Sequence, residues 1–221
     1  MGTMISLTAA DGHVFDGYKA GPDEATAGLV VIQEIFGVNS HIRDVCDRFA
    51  AQGFAVVAPA LFDRAERDAR LGYAQDDIQA GLALRAKVPE AGALADIAAA
   101  AAAIGGKPTG IIGYRWGGTL VWHAASQTEL FKAGVGWYGG GIPAAKDATL
   151  NCPVQLHFGE TDHGIPLEGV DAVRRAHPEV ELFVYPGAGH GFGCDQRGSY
   201  DAAAYAKAQE RSLTFLRANL R

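Results

Sequence analysis

A mostly parallel α/β sheet with helices on both faces is the fold class that this sequence predicts. Three observations point to it. Short apolar runs alternate with segments of helical spacing along the whole chain. Several of these runs, such as Gly28–Gln33 (GLVVIQ), are continuous rather than alternating, as strands covered on both faces require. The repeated order of strand then helix makes parallel crossovers the natural connection.

Taken in order, Met4–Thr8 and His13–Tyr18 read as two short strands joined at Asp11-Gly12, a hairpin turn. Gly28–Gln33 is the first fully buried strand. Asn39–Gln52 follows with apolar residues at helical spacing (Ile42, Val45, Cys46, Phe49), an N-cap at Asn39 or Ser40, and Gly53 just past its end. Phe54–Pro59 is the next strand. Ala60–Gly72 is charged and irregular, a loop with room for one helical turn. Helices are expected over Gln75–Lys87 and over the alanine-rich Ala91–Ile104. Gly110–Tyr114 is a strand and Gly117–Ser126 a helix. Ala133–Trp137, Pro153–Phe158 and Val180–Tyr185 are strands, with a helix at Leu167–Ala176. A closing helix over Asp201–Leu220 carries Ala204, Tyr205, Ala208, Ser212, Phe215 and Leu216 on its expected buried side.

Bulk properties bound the reading. The chain has 221 residues and 48% hydrophobic content, without linker, repeat or low-complexity tract, so one domain over 1–221 is expected. A net charge of −6 gives no surface for nucleic acid or an anionic membrane. No apolar run reaches the roughly 18 residues of a membrane helix, and the N-terminus lacks a secretory pattern. The cysteines are Cys46, Cys152 and Cys194, odd in number and without a CxxC pair, which suits reduced thiols in the cytoplasm. His13, His41, His123, His157 and His177 lack ligand spacing, so no metal site is expected. No large amphipathic seam is visible, and a monomer is the expectation.

Sites in open α/β sheets form at the carboxyl ends of strands. Four such segments carry reactive or constrained residues. They are Gln33-Glu34-Ile35-Phe36-Gly37, Gly113-Tyr114-Arg115-Trp116-Gly117, Gly159–Pro166 around Asp162, and Gly187–Phe192 around His190. The second has the frame of a nucleophile elbow, Gly-x-nucleophile-x-Gly, with arginine in the attacking position. In this frame His190 would move the proton and Asp162 would hold its tautomer. The N–H groups of Ile35 and Trp116 would receive the developing oxyanion. Phe36, Trp116, Trp137 and Tyr138 stand at strand ends and are candidate walls for a small substrate.

With these motifs in view, the chain resembles the dienelactone hydrolase (carboxymethylenebutenolidase) family of α/β hydrolases. The resemblance rests on QEIFGVN at 33–39, GYxxGG at 113–118, FGETDHGIP at 158–166 and AGHGF at 188–192, and it runs over essentially the whole length. It implies an α/β-hydrolase fold and a Cys-His-Asp triad with the Cys at position 115 and Asp162 and His190 as partners. Glu34 is implied to bond the resting thiol. The implied substrates are small enol-lactones or esters, with no cofactor.

Two departures stand out. Arg115 occupies the nucleophile position, and Cys194 occupies the place where the best-known members carry a carboxylate-binding arginine, four residues beyond the histidine. The other such arginine falls in the variable 60–79 region, where Arg64, Arg67 and Arg70 are candidates. A guanidinium is permanently charged and has no lone pair to attack with. A buried cation also needs a partner, and Glu34 and then Asp162 are the expected ones. Three readings follow: a hydrolase that has lost its nucleophile, a binding protein that offers Arg115 to a carboxylate, or a hydrolase in which His190 activates water and Arg115 clamps the substrate. Residues 34, 115, 162 and 190 are expected to converge above the sheet. Arg197, just past His190, is a further candidate for contacting an anion.

Overall fold

Eight strands, mostly parallel, alternate with six α-helices across the described residues, Met1–Arg221 of a computed structural model. By internal contacts the chain divides into two halves, Met1–Gly110 and Ile111–Arg221.

In the first half, β1 (Thr3–Thr8) and β2 (Val14–Ala20) form the expected hairpin, with Leu7 opposite Phe15. Gly12 takes a φ of 84°, open to glycine at no steric penalty. β2 runs two residues past the sequence expectation because Lys19 and Ala20 pair with Val57 and Val56 of β4 (Ala55–Pro59). β4 in turn runs parallel to β3 (Gly28–Ile32). Every residue of β3 and β4 is buried, which explains their uninterrupted apolar sequences.

Helix α1 (Ser40–Ala51) starts where Asn39 Oδ1 accepts from the Ile42 amide at 3.2 Å. It buries Ile42, Val45, Cys46 and Phe49. The segment after β4 contains one 3₁₀ turn, Leu61–Arg64. Helices α2 (Gln75–Lys87) and α3 (Glu90–Ala102) follow. Arg64 ties this half together. It grips the fully buried Asp96 of α3 through two 2.8 Å bonds and reaches Asp11 beside the hairpin turn at 2.8 and 3.1 Å.

Strand β5 (Thr109–Tyr114) leads into the second half and feeds α4 (Trp116–Gln127). Strands β6 (Ala133–Trp137), β7 (Val154–Gly159) and β8 (Glu181–Tyr185) are parallel neighbours, with Gly136 beside Leu156 and Leu156 beside Leu182. Helix α5 (Leu167–Ala176) connects β7 to β8. Helix α6 (Ala202–Asn219) is capped by Asp201, whose carboxylate accepts from the Ala203 and Ala204 amides. It buries Ala204, Ala208, Ser212, Phe215 and Leu216, whereas Tyr205, expected on the buried side, is only half-buried. No helix is long and apolar enough to cross a membrane.

Candidate active site

The turn after β5 is an elbow in its backbone as well as in its sequence. Arg115 adopts φ 54° and ψ −112°, a region that non-glycine residues rarely enter. The strain is held by hydrogen bonds on both sides: the Arg115 amide donates to Trp137 O at 2.9 Å, and its carbonyl accepts from Thr119 N at 3.1 Å. Two glycines make room. A Cβ on Gly113 would collide with the Gly117 carbonyl, and one on Gly118 would lie 2.5 Å from Trp137 O. Arg115 is half-buried rather than fully buried, so the cation is not the isolated interior charge that the sequence suggested. Trp116 opens α4 and is buried. Its amide belongs to the first turn, where the helix's own hydrogen bonds use no N–H.

Asp162 and His190 follow β7 and β8 and meet. His190 Nδ1 lies 2.7 Å from Asp162 Oδ2. An ionised carboxylate can only accept, so Nδ1 carries the proton and Nε2 presents its lone pair. Asp162 is fully buried on its side chain, and its other oxygen accepts from the Gly164 amide at 2.9 Å. The His190 side chain keeps 26% of its surface, and Nε2 makes no hydrogen bond. The two loops are stitched together around the pair. Thr161 bonds Ala188 O through both its amide (2.9 Å) and its hydroxyl (3.0 Å), and Glu160 accepts from the Gly187 amide at 2.9 Å.

Tyr138 adopts φ 39°, a second strained non-glycine residue, pinned by its amide to His157 O at 2.7 Å. Its buried ring meets the His190 imidazole edge-on, 5.5 Å between centroids and 61° between planes. Trp137 is packed on several sides rather than facing open space. It stacks on Phe192 at 5.5 Å and gives its indole N–H to Ser212 Oγ at 3.2 Å. Trp122 is core, and His163 is exposed.

In the first half, Glu34 and Ile35 follow β3 and are buried, as is Phe36. The irregular stretch after β4 holds this segment in place. Leu71 N donates to Phe36 O at 2.9 Å, Phe36 packs edge-on against Tyr73, and Asn39 reaches Leu71 O and the Tyr73 hydroxyl at 3.1 Å each. Helix α2 also comes close here, since a Cβ on Gly81 would strike the Ile35 carbonyl. The candidate carboxylate-binding arginines of this region have protein partners: Arg64 with Asp96 and Asp11, Arg67 with Val14 O and Asp16, and Arg70 with Asp68. Cys194 is fully buried, and Arg197 lays its guanidinium against Gly191.

One polar cluster escaped the sequence reading. His157 on β7 is buried, with Nδ1 2.8 Å from the Tyr185 hydroxyl and Nε2 2.9 Å from Gln155 Oε1 and 3.0 Å from Ser212 Oγ. Burial, aided by the nearby Arg211 charge, holds its pKa down to about 3, so it is neutral. The available signal was Gln155 and His157 spaced by two in an otherwise apolar strand, which puts both on one face.

A model of the dienelactone hydrolase family matches residues 15–220. A protein of Synechocystis sp., provisionally named a carboxymethylenebutenolidase, is 37% identical over 203 residues, covering 83% of this chain and 82% of its own. The carboxymethylenebutenolidase of Pseudomonas putida is 34% identical over 226 residues, covering 96% and 94%. A crystal structure from Klebsiella pneumoniae, provisionally described as a dienelactone hydrolase, matches with a TM-score of 0.82 at 30% identity, over 97% of this chain and 99% of that one.

Proposed function

Because the chain belongs to the dienelactone hydrolase family, we propose that it is an ester- or lactone-hydrolase scaffold whose attacking residue has been replaced by Arg115 and whose turnover is negligible as it stands. The observation that carries this reading is the state of His190: Nδ1 is fixed by Asp162 at 2.7 Å and Nε2 is left without a hydrogen bond. That is the arrangement of a general base waiting for a proton from a nucleophile. In this reading a thiol at position 115 gives its proton to Nε2 and attacks the carbonyl carbon. The carbonyl oxygen gains negative charge and is received by the N–H of Trp116, in the first turn of α4. The leaving oxygen takes the proton back from His190, and water, activated by the same nitrogen, releases the acid.

Arginine cannot begin this sequence. Its guanidinium stays protonated and offers no lone pair. The substrate class is a small enol-lactone or carboxylic ester, with Tyr138 as an apolar wall and Trp137 as its backing.

Arg115→Cys, assayed with a chromogenic ester and a dienelactone, tests the reading. Turnover should rise by orders of magnitude, up to the roughly millionfold that loss of a triad nucleophile removes. No gain in a folded Arg115→Cys protein would overturn it. Carboxylate binding by the unaltered chain, lost in Arg115→Ala, would instead make the protein a binder. Ester turnover by the unaltered chain that His190→Ala abolishes would make it a water-activating hydrolase.

A further inference from the structure

Helix α6 and strands β7 and β8 border an open cavity of about 250 Å³ whose lining includes neither Asp162 nor His190. From the helix come Lys207, Glu210, Arg211, Thr214 and Phe215, which recur at three- and four-residue spacing and so share one face. Gln155 and Glu181 come from the strands.

Arg211 sets the chemistry of this space. Its guanidinium carbon lies 4.0 Å above the Phe183 ring and 5.5 Å from the Tyr185 ring. One N–H donates to the Tyr185 hydroxyl at 3.2 Å. No carboxylate pairs with it, because the two on the rim are engaged elsewhere. Glu181 accepts from the Gln155 amide at 2.8 Å, and Glu210 pairs with Lys207 at 3.1 Å. A guanidinium carries five N–H donors in a planar fork matched to a carboxylate. Here the fork lies over the Phe183 ring, half-buried, and mostly unused beside an open volume.

We propose that this cavity binds a small monocarboxylate with an apolar body, its carboxylate against Arg211 and its body along Phe215. The charge of the rim selects for a single anionic group, since Glu181 and Glu210 would repel a second. The volume suits one ring or a short chain. This site is independent of the chemistry at position 115.

Sodium benzoate is the probe, with benzamide as its neutral counterpart and succinate as a dianion. Amide chemical shifts of the full chain are followed by NMR during titration. Saturable shifts are expected at Gln155, Arg211 and Phe215, with a dissociation constant on the order of 1 mM. Benzamide and succinate should bind at least tenfold more weakly. Arg211→Gln should weaken benzoate at least tenfold, and Arg115→Ala should leave these shifts in place. Thr214→Trp, made at an exposed position, should fill the cavity and block binding with Arg211 intact, which keeps the test valid even if Arg211→Gln fails to fold. The proposal is overturned if benzoate shifts no residue of the cavity, if benzamide binds as tightly, or if binding survives Thr214→Trp.

Discussion

Two buried aspartates, one in each half of the chain, end in opposite arrangements. Asp96 and Asp162 both have fully buried side chains, and each faces a nitrogen base. Asp96 receives two hydrogen bonds from Arg64, and the remaining Arg64 nitrogen turns to Asp11. The network closes on itself. Burial pushes the Asp96 carboxyl up, the Arg64 hydrogen bonds pull it back, and Asp96 in turn holds Arg64 firmly charged. Asp162 is equally well satisfied, but its partner is not: His190 keeps a partly exposed ring and an Nε2 without a hydrogen bond. A closed network contributes to stability alone, whereas an open one stores an unused valence in a fixed direction. That difference, more than burial or charge, separates the aspartate of a closed network from the one whose partner keeps an open nitrogen.

The sharpest way to break this comparison is kinetic. In an Arg115→Cys background, Asp162→Asn should lower kcat by about 10⁴-fold, because an amide no longer enforces the Nδ1–H tautomer. A loss below tenfold would remove Asp162 from the machinery. The next effect is thermodynamic and belongs to the other half. Arg64→Ala should destabilise the fold by about 3–5 kcal/mol in denaturant unfolding, since it leaves a fully buried carboxylate unpaired. The same change should leave kcat of the Arg115→Cys protein within a few-fold. A loss of stability under about 1 kcal/mol would mean that the Asp96 network is looser than its geometry.

A third effect, a dependence on pH, comes from His157. Its pKa is held down to about 3 in the folded chain, while an unfolded histidine takes a proton near pH 6.5. The unfolded state therefore binds more protons between these values. The stability that His157 contributes is present above about pH 6.5 and is lost as pH falls toward 3, by at most about 1.4 kcal/mol per pH unit. His157→Gln should flatten the decline of melting temperature over that range. An unchanged slope would place the acid sensitivity elsewhere.

Much of the architecture was legible because it is local. The helices at Gln75–Lys87 and Leu167–Ala176 and the strand at Ala133–Trp137 lie where periodicity placed them. Asn39 caps α1 through its own side chain, a contact spanning three residues. Departures arose where a distant partner extended or shortened an element, as β4 lengthens β2. The meeting of Asp162 and His190 was legible from their motifs and their chain order. The strain at Tyr138 was not, because nothing in a Trp-Tyr-Gly-Gly sequence states which residue takes the positive φ. The commitment of Arg64 to Asp96 was equally hidden, since an arginine in a charged loop reads as available for a ligand.

From its sequence alone the protein was set to alternate strands with helices, to turn sharply at Gly113–Gly118, and to place a cation, Arg115, in that turn. Those properties reside in residue type and short-range spacing. Tertiary structure alone decided that Asp162 and His190, 28 residues apart, lie 2.7 Å from each other and that the far nitrogen of the pair is left without a hydrogen bond. It also decided that Arg64 is spent on the core while Arg211 is not. The physical reason is the same in each case: a hydrogen bond is settled by what lies within about 3 Å in space, and distance in space between remote segments is fixed only when the strands that carry them pack.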